Sequence, residues 1–198
     1  MDATDVPKPA RARPMSAEER RTMIATSAIP LYLEQGASVT SRQLADHLGI
    51  AEGTIFRVFG DKAALVRSVV DAFFDQTHQG LGPELEDPDL DVEQKLRVLI
   101  RNARARARGV FTMISLLEPG EAHEYMKHRR EGHFEQTAAA AFAADAAQLN
   151  IPPQKLGALI RLLVIAASAP RMGGGDPLSD DELVDFALHG IIGQAGKD

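Results

Sequence analysis

The sequence predicts an all-α protein, with a compact run of short helices near the N-terminus and a larger helical body behind it. Three observations predict this. Apolar residues recur at three- and four-residue spacing, and no alternating stretch is long enough for a strand. Capping residues, glycines and prolines fall where such helices need to start and stop. Charge is uneven: the net charge is −6, but residues 1–70 hold nine Lys/Arg against eight Asp/Glu (+1) and residues 71–198 hold thirteen against twenty (−7). An acidic body behind a near-neutral, locally basic head suits a division of labour, although charge alone fits ordinary surface variation equally well.

The elements follow in order. Residues 1–15 carry Pro7, Pro9 and Pro14 with Lys8, Arg11 and Arg13 between them, an extended arm without a core. Ser16 and Glu19 form a capping box for a first helix bearing Ile24, Ala28, Leu31 and Tyr32. Gly36 stops it, and Pro30 is expected to kink it or shorten its regular part. A second helix starts near Thr40 or Ser41, carries Leu44, Ala45 and Leu48, and ends at Gly49. A third runs from near Ala51 to Phe59, and Asp61 caps a fourth from Lys62 to about His78. After a loop to Pro88, helices are expected near 91–108, 110–117, 121–149, 153–171 and 179–194, about nine in all.

Composition narrows the class. Hydrophobic residues are 44% and charged residues 25% of the chain, as in ordinary globular proteins. There is no cysteine, which excludes a disulfide scaffold, a thiolate metal site and a cysteine nucleophile. No secretory signal pattern opens the chain. The apolar run from Leu156 to Pro170 is too short to span a bilayer and contains Arg161. A cytoplasmic protein with no membrane partner is expected.

Residues 40–59 have the grammar of a helix-turn-helix. Ala45 is small where the two helices pack, Gly49 tolerates a positive φ in the turn, and Ile50 plugs it. Ile55 and Phe59 give the second helix a face to bury, leaving Glu52, Gly53, Thr54 and Arg57 for base edges. A helical hairpin in a bundle has the same spacing. Residues 20–66 also resemble the DNA-binding domain of the TetR family of transcriptional repressors. The matching residues are Ile24, Ala28, Leu31-Tyr32, Gly36, Thr40, Leu44-Ala45, Leu48-Gly49-Ile50-Ala51 and the run from Gly53 to Leu65. The Gly53-Thr54-Ile55-Phe56-Arg57-x-Phe59-x-x-Lys62 core carries the most specific part of the likeness. Phe56 stands where the family usually has Tyr, and Val58 where it often has His or Tyr.

The expected DNA contacts are Thr40, Arg42, Glu52, Gly53, Thr54, Phe56, Arg57 and Lys62. Thr40 offers a hydroxyl and amide to a phosphate at a helix start. Gly53 permits close approach, and Thr54 can bond a phosphate or touch a thymine methyl. Arg57 suits a guanine or a phosphate. Arg42 is a contact or a solvated charge. Lys62 resembles the family's phosphate-binding lysine. Phe56 keeps the packing of Tyr but loses its hydroxyl. Arg11 and Arg13 suit a minor groove or a plain tail.

The resemblance implies three parts: the arm, residues 1–15; a three-helix DNA-binding domain, residues 16–62; and a helical ligand-binding and dimerisation domain, residues 63–198, with 63–78 as its connecting helix. Leu159, Leu163, Ala166, Leu183, Phe186 and Gly190 suit a four-helix homodimer interface, or an intramolecular core. Phe111, Met113, Leu117, Tyr125, Met126 and Phe134 are candidates to line a ligand pocket, or plain core. Arg97, Arg101, Arg104 and Arg108 share a helix face that reads as a solvated stripe rather than an anion site. His123, His128 and His133 lack the spacing of a helical zinc pair, and Glu124 with His128 reads as a surface pair. No cofactor or metal is expected. No nucleophile–base pair, phosphate loop or metal set argues for an enzyme. The expected function is a sequence-specific regulator that binds a pseudo-palindromic operator as a homodimer, most simply a repressor released by a small-molecule effector. The alternative is a DNA-binding regulator without such an effector, controlled by abundance or a protein partner.

Overall fold

The structure, a computed structural model, describes residues 15–76, 83–128, 133–169 and 178–190. Among them are nine α-helices and no strand. The expected all-α class is correct.

The first four helices are α1 (Ala17–Gln35), α2 (Ser41–Leu48), α3 (Glu52–Phe59) and α4 (Lys62–Gln76). Ser16 caps α1 through the expected box: its hydroxyl accepts from the Glu19 amide at 3.1 Å, and the Glu19 carboxylate accepts from the Ser16 amide at 2.6 Å. Those two hydrogen bonds hold the Glu19 carboxyl below its usual range. Pro30 does not shorten the helix, which continues to Gln35 and stops where Gly36 takes φ 58°. Pro30 itself is exposed. Ile24, Ala28, Tyr32, Leu44, Ile55, Leu65 and Val69 fill a first core shared by the four helices. Burial raises the Tyr32 phenol pKa.

Next comes α5 (Val92–Ile114), capped by an Asp91–Gln94 box. Two helices were expected here, near 91–108 and 110–117. The helix instead runs through Gly109, whose missing side chain is a packing requirement: a Cβ there would lie 2.9 Å from the Phe73 ring of α4. The length of α5 lets it serve both cores. Met113 belongs to the first, while Leu96, Leu99, Ile100 and Ala103 belong to a second.

The expected helix 121–149 is also corrected. It divides into α6 (Pro119–His128), α7 (His133–Ala141) and a 3-10 segment (Ala143–Gln148). Alanine propensity favours continuous helix through 138–147, but Phe142 leaves helical geometry at φ −103°, ψ 8° and is fully buried. The break lets Asp145 meet Lys95 of α5 at 2.7 Å inside the protein. Two further helices, α8 (Pro153–Ser168) and α9 (Asp180–His189), complete the second core through Leu156, Ile160, Val164 and Leu183. Gly157 lets α8 lie against α7, because a Cβ there would sit 2.8 Å from the Glu135 Cα. The expected ends at 171 and 194 fall outside the described residues.

The arginine stripe is corrected in part. Arg104 is buried and binds Asp180 at 2.7 Å. Arg97 pairs with Asp181 and Glu93, and Arg101 with Glu84. Three of the four arginines thus pin α9 and the 83–86 turn onto α5, while Arg108 is exposed.

The Lys95–Asp145 pair predicts a signed pattern of stability. Lys95→Met or Asp145→Leu alone leaves one buried charge uncompensated and should destabilise by about 3–5 kcal/mol. The double variant should recover most of that loss. Urea unfolding of the three variants measures it, and a double variant no better than the worse single would contradict the buried-pair account.

Candidate nucleic-acid interface

The helix pair α2–α3 is built by local hydrogen bonding before any packing. Thr40 caps α2: its hydroxyl accepts from the Gln43 amide at 3.2 Å, and the Gln43 side chain accepts from the Thr40 amide and hydroxyl at 2.9 and 2.8 Å. The amide and hydroxyl expected to meet a phosphate are therefore already engaged within the protein. The helix start still leaves the amides of Ser41 and Arg42 without intrahelical acceptors. Gly49 adopts φ 65°, ψ 32°, the left-handed conformation that the turn needs. Ile50 folds back, its amide donating to the Ala45 carbonyl at 3.0 Å. Leu44, Ala45, Ile55 and Phe59 are buried as the pattern required.

Burial of Ile55 and Phe59 fixes which side of α3 faces out. Glu52, Gly53, Phe56 and Arg57 are exposed together, and Thr54 is half-buried beside them. Arg42 is exposed on α2. An ideal Cβ on Gly53 would meet no atom within 4 Å, so the backbone there is open to a docking surface.

Two basic residues hold this head together. Lys62 donates from Nζ to the Val39 carbonyl at 2.7 Å, tying the start of α4 to the approach to α2. An ammonium carries three donors, so two stay available to a phosphate. Arg21, which the sequence reading did not single out, donates to the Val58 carbonyl at 3.3 Å and to the Ser68 hydroxyl at 2.9 Å. Its guanidinium also lies 4.8 Å from the Phe59 ring centroid. Arg21 thereby joins α1, the end of α3 and α4. Nothing in the spacing of Arg21 marks this role, because its partners lie 37 and 47 residues away.

With this geometry in place, comparison with known proteins identifies the head. Residues 24–69 match the family described as bacterial regulatory proteins, tetR family. The head is thus similar to the DNA-binding domain of TetR-family regulators. This match supports a DNA-binding regulator. Among solved structures the chain is similar to a TetR/AcrR-family transcriptional regulator from Thermobifida fusca YX-ER1, at 24% identity and TM-score 0.49 over 88% of this chain and 99% of that one. It is also similar to native NalD of Pseudomonas aeruginosa, the secondary repressor of the MexAB-OprM multidrug efflux pump, at 20% identity and TM-score 0.49 over 91% and 99%. A third is apo AibR, at 16% identity and TM-score 0.46 over 85% and 96%. No curated protein matches the chain significantly.

Behind the TetR-like head, α6 is fastened to α4. Arg67 pairs with Glu121 at 3.1 Å, the Tyr125 hydroxyl donates to Asp71 at 2.8 Å, and the Phe74 and Tyr125 rings lie 5.1 Å apart. Of the candidate pocket residues, Met113 is buried in the first core, and Leu117 and Tyr125 pack against it. Phe111 and Phe134 pack against the second core, and Met126 is exposed. The structure therefore divides these six between two cores and the surface. Two hollows stand out among the described residues, both open grooves: one along α1 from Ser16 to Ser27, the other between α1 and α4 beside Arg21, Asp71 and Asp75.

The candidate interface residues also divide. Leu159 is 50% exposed on α8, with Ala166 exposed two turns on; Phe186 and Gly190 are exposed at the end of α9. Leu163 is half-buried, and Leu183 is fully buried in the chain's own core. Leu162 (61% exposed) and Ile165 are also exposed on α8 and were not among the sequence candidates. Their signal was an α8 apolar on more than one face. The side chains of His128 and His133, and the arm with Arg11 and Arg13, lie outside the described residues. No described helix is long and apolar enough to cross a membrane.

Two substitutions test the contact assignments. Arg57→Ala should weaken binding by about 1–3 kcal/mol and relax preference at one base position. Lys62→Ala should lower the slope of log affinity against log salt by about 1 without changing preference. Fluorescence anisotropy at several salt concentrations reads both, and a uniform loss across sequences would make Arg57 a phosphate contact instead.

Proposed function

We propose that the chain is a dimeric repressor that leaves its operator when a small molecule binds its C-terminal part. Residues 16–62 form the reading head and residues 63–198 the regulatory and dimerisation part, with 63–78 connecting them. Thr40, Arg42, Glu52, Gly53, Thr54, Phe56, Arg57 and Lys62 form the DNA-facing set. The observation that carries the proposal is the combination of an exposed α3 stripe with an uncovered apolar stripe on α8. Leu159, Leu162 and Ala166 recur at i, i+3 and i+7, and apolar side chains in such a row gain by burial against a second copy. One head contacts a single half-site. A pair fixed back to back spans two, about 34–36 Å apart on one face of the duplex.

Release requires an effector that binds one head separation better than another, and it can shift the balance only by that difference. The α4–α6 fastening supplies a route, since anything that moves Tyr125 or Glu121 pulls on Asp71 or Arg67 of α4. The second reading, regulation without a small-molecule effector, is favoured by the division of the six candidate pocket residues between two cores and the surface.

Selection of bound duplexes from a random pool should return an inverted repeat with half-sites near one helical turn apart. A compound library screened by thermal shift then separates the two readings. A compound that raises the melting temperature of the free protein should weaken the operator complex. Stabilising compounds that leave operator affinity unchanged would support the effector-free reading.

A further inference from the structure

Phe56 is the one large apolar side chain on the outward stripe of α3. It is 44% exposed and belongs to neither core, whereas Ile55 and Phe59 are buried and Val58 packs against the first core. Its companions on the stripe are Glu52, Gly53 and Arg57. Gly53 lies three residues before it, on the same helix face, and leaves open space where a Cβ would stand. The phenyl ring therefore rises beside bare backbone at the spot where α3 can come closest to a duplex.

A phenyl group has no donor or acceptor, so it cannot hydrogen-bond a phosphate oxygen or the polar atoms of a base edge. Major-groove base edges carry one strongly apolar feature, the C5-methyl group of thymine. An exposed phenyl on a helix that enters this groove gains most by covering that methyl. We infer that Phe56 is a specificity-determining residue that packs on one thymine methyl in each half-site, with Gly53 giving the clearance. Arg57, next in the chain, stays free for a polar contact. The inference rests on the operator-binding function proposed above.

The test replaces each thymine of the selected duplex in turn with deoxyuridine, which removes only the C5-methyl. Affinities are measured for the unaltered protein, Phe56→Ala and Phe56→Tyr. One position in each half-site should weaken the unaltered protein by about fourfold, the worth of one buried methyl. The same replacement should have no effect on Phe56→Ala, and Phe56→Tyr, which keeps the ring, should retain the dependence. The salt slope should be the same for Phe56→Ala and the unaltered protein, since no phosphate charge is involved. Thermal unfolding should also be unchanged, because the side chain lies outside both cores. A flat deoxyuridine scan, or equal losses with and without the ring, overturns this inference and leaves the operator reading intact. Failure to select any duplex overturns both.

Discussion

The arrangement depends on α4 being engaged on two sides at once. Leu65, Val69 and Val70 are buried in the first core, so the helix is part of the reading head. Phe73 rests against Gly109 of α5, while Arg67, Asp71 and Phe74 meet α6. A helix held this way cannot shift relative to α6 without carrying α3, because Arg21 and Lys62 bind its start and middle to the rest of the head. Rigid packing transmits such a displacement rather than absorbing it.

The head and the body are stabilised by different means. In the head, short helices are closed by the Thr40–Gln43 box, the Gly49 turn and the Asp61 cap, whose carboxylate accepts from the Ala64 amide at 2.7 Å. These devices fix a small unit with little core to spare. In the body, charged contacts organise the helices about α5. Lys95–Asp145 is buried, and Arg104 is buried on one side of its pair with Asp180. Removing one partner of a buried pair is far more damaging than losing an exposed one. The Glu182 carboxyl, held below its usual range by hydrogen bonds from Ser179, caps the helix that Arg104 binds.

Legibility in the sequence followed the range of the interactions. The starts of the first four helices and the stops of the first three were readable, because Ser16, Gly36, Gly49 and Asp61 act on neighbours within a few residues; the expected end near His78 lies outside the described residues. The exposed stripe of α3 was readable for the same reason, since Ile55 and Phe59 settle its orientation. Arg21, Lys62 toward Val39, and Lys95 toward Asp145 were not, since their partners are 23 to 50 residues away. The continuity of α5 through Gly109 was not legible for a related reason: that glycine's role is set by Phe73 on another helix. Leu183 was expected at a subunit interface, with an intramolecular core as the alternative, and three-dimensional packing places it inside.

The most direct test is a distance measurement between the two heads. The chain has no cysteine, so His47→Cys, at an exposed position on α2, allows one spin label on each protomer. Pulsed dipolar spectroscopy should then show a defined separation that narrows to one value on operator DNA. Adding Tyr125→Phe and Asp71→Asn, which remove the α4–α6 hydrogen bond, should broaden or shift the separation in the free protein. An unchanged distribution would contradict control of the heads through that junction, and the absence of any dipolar signal would contradict the dimer itself.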